Sequence, residues 1–230
     1  MRLRTSALIA LSIFVAATGC SAKSHPAASP SPTATALTLE QAKTLAAAAV
    51  LTKADLPGYT LKAQTHDPSD DVNDSKLATC LGTPTPTYLT RNFGTGFTKG
   101  TLEIDSSGDV ASSVDAAKTQ LAALTSAKAP DCLKTLFTQL LSASGGTISK
   151  FNATLVPITV PQSDASFAYT FSITASSGGQ SAVLNGIEAG SLVGQVEVDV
   201  TVLAEGSSTF TLDQAVALLR TASARVQAAS

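Results

Sequence analysis

Downstream of Thr38 the chain uses two hydrophobic periods, and the switch between them divides it into a helical part and a strand part. Thr38-Leu39-Glu40-Gln41 has the form of a capping box, with a Thr hydroxyl for the backbone NH three residues on and a Gln side chain to reach back. A helix is predicted to follow to about Leu51, its alanines at 46–49 favouring helix and close packing. Pro57-Gly58 is a turn, and Tyr59-Thr60-Leu61 opens an extended piece. The acid-rich stretch 67–74 reads as a loop, after which Asp74 or Ser75 caps a short helix carrying Leu77, Cys80 and Leu81. Between 97 and 105, Leu102 and Ile104 point one way and Lys99, Thr101, Glu103 and Asp105 the other, which is a strand with one wet face. Two helices are predicted next. The first spans about 110–127 with Val114, Ala117, Leu121 and Leu124 on one stripe; the second is capped by Asp131 and carries Leu133, Leu136, Phe137, Leu140 and Leu141.

From Gly146 the period becomes two. Phe151, Ala153 and Leu155 alternate with polar residues, and so do Phe167, Tyr169, Phe171 and Ile173. Ser177-Gly178-Gly179 is a hairpin turn, and strands over 183–188 and 192–203 join near Ala189-Gly190. In the last strand Val196, Val198, Val200 and Val202 share a face, while Glu197, Asp199 and Thr201 share the opposite one. The pattern predicts an antiparallel sheet buried on one side and largely solvated on the other. Thr211-Leu212-Asp213-Gln214 repeats the capping formula before a closing amphipathic helix with Leu212, Val216, Leu219 and Val226. The sum is a single α+β domain over 38–230: about four to six antiparallel strands, helices packed over one face, and one disulfide.

The N-terminus is organised differently. Arg2 and Arg4 precede an apolar run of about 11 residues, and the small residues Ala17-Thr18-Gly19 stand directly before Cys20. This is an export signal with a cleavage site, too short for a helix that must cross a bilayer with about 20 residues. Ala17-Thr18-Gly19-Cys20 resembles the lipobox of bacterial lipoproteins. That likeness implies cleavage after Gly19 and a diacylglyceryl thioether on Cys20, leaving the domain lipid-anchored on the outer face of the cytoplasmic membrane. Residues 1–19 are then the signal peptide. Residues 20–37, with Pro26, Pro30 and Pro32 among Ser, Thr and Ala, are a tether.

Assigning Cys20 to lipid leaves Cys80 and Cys132. In an exported chain one disulfide between them is the simplest count; two buried thiols are the competing reading. Hydrophobic residues make up 44% of the 230-residue sequence and charged ones 14%, so the chain should fold. A net charge of −2 gives no basic field for nucleic acid or for anionic headgroups.

Leu51-Thr52-Lys53-Ala54-Asp55-Leu56-Pro57-Gly58-Tyr59, a cysteine some 20 residues on, a second cysteine opening a central helix, a hydrophobic strand and a closing helix together resemble actinobacterial surface lipoproteins. The same layout is similar to the extracellular sensor domain of mycobacterial H-type serine/threonine kinases. The resemblance implies ligand or partner sensing outside the membrane, without chemistry and without catalytic residues to carry over. That kinase domain is held by two disulfides around a cleft, whereas this chain has cysteines for one.

Residue patterns with intrinsic chemistry are few. His25 lies in the tether, so His66 would be the sole base of a hydrolase, and no serine sits in a G-x-S-x-G elbow. His66, Asp67, Asp70, Asp71 and Asp74 could gather around calcium, yet the D-x-[DN]-x-[DN]-G spacing is absent, and no metal site or cofactor is expected. Gly94-Thr95-Gly96 and Gly178-Gly179 lack the phosphate-loop pattern and stand where strands turn. Asn152-Ala153-Thr154 is a formal glycosylation sequon. The aromatic face Phe167, Tyr169 and Phe171 is the candidate ligand site, since a curved sheet under helices can leave an apolar cavity. The leading expectation is a non-catalytic domain that binds a small molecule, lipid or protein outside the membrane. A lipid or glycolipid carrier using such a cavity is the alternative, and a hydrolase comes third.

Overall fold

The computed structural model describes residues 37–64, 68–206 and 210–230. Cys20, the expected signal peptide, the expected tether up to residue 36, His25 and His66 lie outside them. The described residues form five helices and eight strands. Helices α1 (Leu39–Ala49) and α5 (Leu212–Ala229) both begin with the expected capping boxes, Thr38 with Gln41 and Thr211 with Gln214. Strand β1 (Thr60–Lys62) follows the Pro57-Gly58 turn. Helix α2 (Pro68–Leu81) starts well before the predicted cap, because Pro68 is tolerated in the first turn and Asp70 and Asp71 there meet the positive end of the helix dipole. Next come β2 (Tyr88–Asn92), β3 (Gly96–Lys99) and β4 (Leu102–Ala111), then α3 (Val114–Leu124) and α4 (Ala129–Ala143). Val110 belongs to β4 rather than to α3, and Asp131 lies in the first turn of α4 behind Pro130 rather than at its cap.

The remaining strands are β5 (Gly146–Val156), β6 (Ala165–Ser177), β7 (Gln180–Val193) and β8 (Val196–Glu205). All pair antiparallel in one sheet of order β1-β3-β4-β8-β7-β6-β5, with β2 on the second half of the β4 edge. The sheet is thus larger than the four to six strands expected: β7 runs straight through Ala189-Gly190 and turns only at Gly194, and β2 and β3 add pairing that their short segments do not advertise.

Helices cover both faces, where one covered face was expected. On one side α1 and α5 pack on Val196, Val198, Val200 and Val202 of β8 and on Ile104 and Ala189. Arg225 of α5 locks this layer: it pairs with Asp55 at 2.9 Å and donates to the carbonyls of Val50 (2.7 Å) and Ala48 (3.2 Å) at the end of α1. Asp55 also accepts from the Thr52 backbone at 2.7 Å, so the Asp-Leu-Pro-Gly piece is the joint between the first and last helices. On the other side α2, α3 and α4 bury Phe167, Tyr169 and Leu192. A Cys80–Cys132 disulfide ties α2 to the first turn of α4 across a Cα–Cα distance of 5.6 Å. Among the described residues no helix is long and apolar enough to cross a membrane.

Candidate functional site

Antiparallel register turns the sheet face under α2–α4 into cross-strand files that start from an apolar or aromatic residue on β6 or β7 and carry acids on β7, β8 and β4. Tyr169 of β6 stands opposite Glu188 of β7, Glu188 opposite Thr201 of β8, and Thr201 opposite Asp105 of β4. The next file runs from Phe167 through Gly190 and Asp199 to Ser107. Beyond it, Leu192 faces Glu197, Glu197 faces Asp109, and Asp109 faces Arg91 of β2. Gly190 is required here. A Cβ on it would lie 2.6 Å from Asp199 Oδ1 and would also strike the Phe167 ring, so only glycine lets the ring lie on the sheet beside the acids.

Between these files and α3–α4 lies a cavity of ≈ 60 Å³. One wall is apolar: Phe167, Tyr169 and Phe171 from β6, Phe151 from β5, Phe137 from α4. Phe137 stacks at 5.8 Å from both Phe151 and Phe171, and Phe167 meets Tyr169 edge to face at 6.1 Å. The Tyr169 hydroxyl donates to the Leu124 carbonyl at 2.7 Å, which fixes the end of α3 over the cavity. Burial raises the Tyr169 phenol, so it stays a donor.

The opposite wall carries four carboxyls, Asp109, Glu188, Glu197 and Asp199. Asp109 and Glu197 are 1% and 7% exposed; Glu188 and Asp199 keep some surface, and they line the cavity. Burial pushes Glu197 well above the ordinary carboxylate range, with repulsion from Asp199 and Asp109 adding to it and the Gln120 side chain opposing. Asp199 is raised in the same way, by burial and then by Glu188. Glu188 is pushed up to about 7 by burial, against the hydrogen bond it accepts from the Thr201 hydroxyl at 2.5 Å.

Arg91 is the cation next to this wall. It reaches Asp109 at 3.3 Å, Asp74 at 3.0 Å and Asp71 at 3.0 Å, and its guanidinium lies over Tyr88 (4.4 Å) and Phe93 (4.8 Å). Burial works to lower the Arg91 pKa, but the Asp109, Tyr88 and Asp74 charges raise it further. Asp74 is nevertheless raised to about 8, because burial outweighs a guanidinium shared among three carboxylates. Glu197 Oε1 has no hydrogen-bond partner, and Arg91 forms no ion pair with Glu197.

Of the residues singled out in the sequence, Phe167, Tyr169 and Phe171 come together on the cavity. Asp70, Asp71 and Asp74 are in α2, where Asp71 and Asp74 hold Arg91. No group of three His, Cys, Asp or Glu among the described residues is placed to hold a metal ion. The face of Glu197, Asp199 and Thr201, expected to be wet, is covered by α3 and α4. Its acids were missed as site residues because strict alternation shows which residues share a side and not whether a second layer covers that side.

No family model matches the chain, and no curated protein sequence does. Among solved structures, the extracellular domain of PknH from Mycobacterium tuberculosis is similar at 12% identity and a TM-score of 0.43, covering 84% of this chain and 98% of that one. At that TM-score the likeness carries no functional argument, which rests instead on the cavity.

Proposed function

We propose that this chain is an exported lipoprotein, held outside the cytoplasmic membrane by acyl chains on Cys20, whose domain binds a small ligand between the sheet and α3–α4 and performs no chemistry on it. The observation that carries this reading is the two-sided cavity. Five aromatic rings face four carboxyls, and one oxygen of these four, Glu197 Oε1, is buried without a hydrogen-bond partner. Such a set is destabilising as bare structure: two buried acids, Asp109 and Glu197, stand directly opposite each other, so that ionising both is opposed, and a buried unsatisfied group costs on the order of 1–3 kcal/mol. Strongly perturbed acids lining a cavity are the usual mark of a binding or reactive site. The Cys80–Cys132 bond supports an oxidising compartment. The cavity size speaks against the carrier alternative and limits any ligand to a few non-hydrogen atoms, since ≈ 60 Å³ is far below the ~300–1,000 Å³ of sites that enclose a drug-sized molecule.

Native mass spectrometry of the processed protein extracted from its own membranes tests both halves. The expected result is a chain beginning at Cys20 with a diacylglyceryl mass, carrying a small species released on unfolding. Ala153 of β5 lines the cavity, so an Ala153→Leu variant, which fills it, should lose that species. A non-acylated N-terminus overturns the anchor. Absence of any bound species, or one indifferent to Ala153→Leu, overturns the binding site.

A further inference from the structure

The geometry points to a small organic cation, an ammonium group on an apolar body, as the ligand class of this cavity; the inference rests on the binding reading above and adds the charge of the ligand. Four candidate classes meet the same walls with different consequences. An anion would face Asp109, Glu188, Glu197 and Asp199 with no Lys or Arg on the lining. A neutral apolar ligand would pack on the rings but would give the acids no partner, and it would leave Glu197 Oε1 as unpartnered as before. A divalent metal ion needs several oxygens converging within about 2–2.6 Å, and no three acids among the described residues are so placed.

An organic ammonium satisfies both walls at once. Its N–H or N–CH₃ groups meet the carboxyls, giving Glu197 Oε1 a charge-assisted partner, and its apolar portion lies against Phe137, Phe151, Phe167 and Phe171. Ring faces attract cations as well as hydrocarbon, so the aromatic wall does not penalise a charge that sits near the middle of the cavity. The independent sign of a missing partner is Glu197 itself: a carboxylate 7% exposed, lining the cavity, one oxygen unsatisfied, set directly opposite Asp109 in the sheet. Arg91 pairs with Asp71, Asp74 and Asp109 on the far side of that pair, and its charge reaches Asp199 without offsetting that acid's burial. The fold thus places its cation among the outer acids, and among the described residues the inner ones, Glu188, Glu197 and Asp199, have no ion pair.

Three probes of nearly equal size and different charge, each small enough for the cavity, test this on the full processed protein: ethylammonium, ethanol and acetate, each titrated calorimetrically at neutral pH. Ethylammonium is expected to bind at least tenfold more tightly than the other two. Glu197→Gln, which keeps the side-chain shape, should weaken ethylammonium about tenfold, leave ethanol unchanged, and raise the thermal midpoint because folding no longer has to keep a buried acid protonated. Should Glu197→Gln not fold, Asp199→Asn takes its place with the same expectation. Equal or tighter binding of ethanol or acetate overturns the inference, as does ethylammonium affinity indifferent to both variants. No ethylammonium binding also overturns it; a co-purifying species lost on Ala153→Leu would then keep the cavity as a ligand site and remove only its assigned charge class.

Discussion

At the scale of single residues, the site is made by what the chain omits. Gly186 and Gly190 of β7 stand opposite Phe171 and Phe167, and a Cβ on either would run into the ring it faces. Replacing either with Ala forces the ring off the sheet, which is an overpacking change costing about 1–3 kcal/mol. Urea denaturation should show that loss for both variants, with the slope unchanged. Gly190→Ala also crowds Asp199 Oδ1 and should weaken cavity binding more than Gly186→Ala does. Arg225 makes the opposite case, a side chain that does three things at once. Its bonds to Asp55 and to the carbonyls ending α1 join the two helices of the far layer. Arg225→Met keeps the stem and removes these bonds. Leaving a mostly buried Asp55 without its cation should cost ~2 kcal/mol, measured in the same way, while leaving the cavity 's binding intact because the layer lies on the other face.

At the scale of elements, what could be read from sequence follows how local its cause is. Both capping boxes and the β6 alternation depend on residues a few positions apart, and the structure places them as the pattern predicts. Strand β2 was not legible: Tyr88–Asn92 has no clear alternation, and it becomes a strand through pairing with β4, including Arg91 opposite Asp109. The early start of α2 was hidden because its acids look like loop solvation until Arg91 is brought to Asp71 and Asp74 from 20 and 17 residues away, respectively. The aromatic half of the site was visible as a face; the acidic half was visible too, but as a surface, since coverage by α3 and α4 is a tertiary fact. The α2–α4 clamp is where an element-level prediction belongs. Cys80 and Cys132 close a loop of 52 residues. On the chain-entropy account, losing that constraint costs about 4 kcal/mol. The Cys80→Ser/Cys132→Ser chain should show that deficit in urea. Hydrogen exchange should rise first in α2 and α4, which meet through that bond and whose α4 residue Phe137 walls the cavity.

At the scale of the whole molecule, the buried acids decide how stability responds to pH. Burial raises Asp74 to about 8 and Glu188 to about 7, and Asp105, buried beside Glu103 with Lys62 opposing, to about 7; Glu197 and Asp199 are raised in the same direction, also by burial first. In each case the folded form holds its proton more tightly than the unfolded chain, whose carboxyls titrate near 4. Between about pH 4 and 8 the native state therefore binds more protons, and stability falls as pH rises through that window. Asp55 acts in the opposite direction. Burial works to raise its pKa, but hydrogen bonds from Thr52 and Arg225 lower it on balance, so its contribution is lost only as pH drops below about 4. The thermal midpoint should accordingly be highest near pH 4–5 and decline toward pH 8; a 2 kcal/mol fall corresponds to roughly 4–8 °C for a domain of this size. Asp109, Tyr88 and Arg91 face the same cluster from β4 and β2, and Arg91, held protonated, keeps its charge throughout. An organic cation in the cavity reverses part of the trend, since it binds the ionised acids and releases their protons. With saturating ethylammonium the decline from pH 5 to 8 should be shallower than without it, and Glu197→Gln should flatten the ligand-free curve and shrink the difference between the two. A midpoint that climbs from pH 5 to 8 in the free protein would mean the acids are ionised at little cost, and the physical ground for a missing counter-ion would be gone.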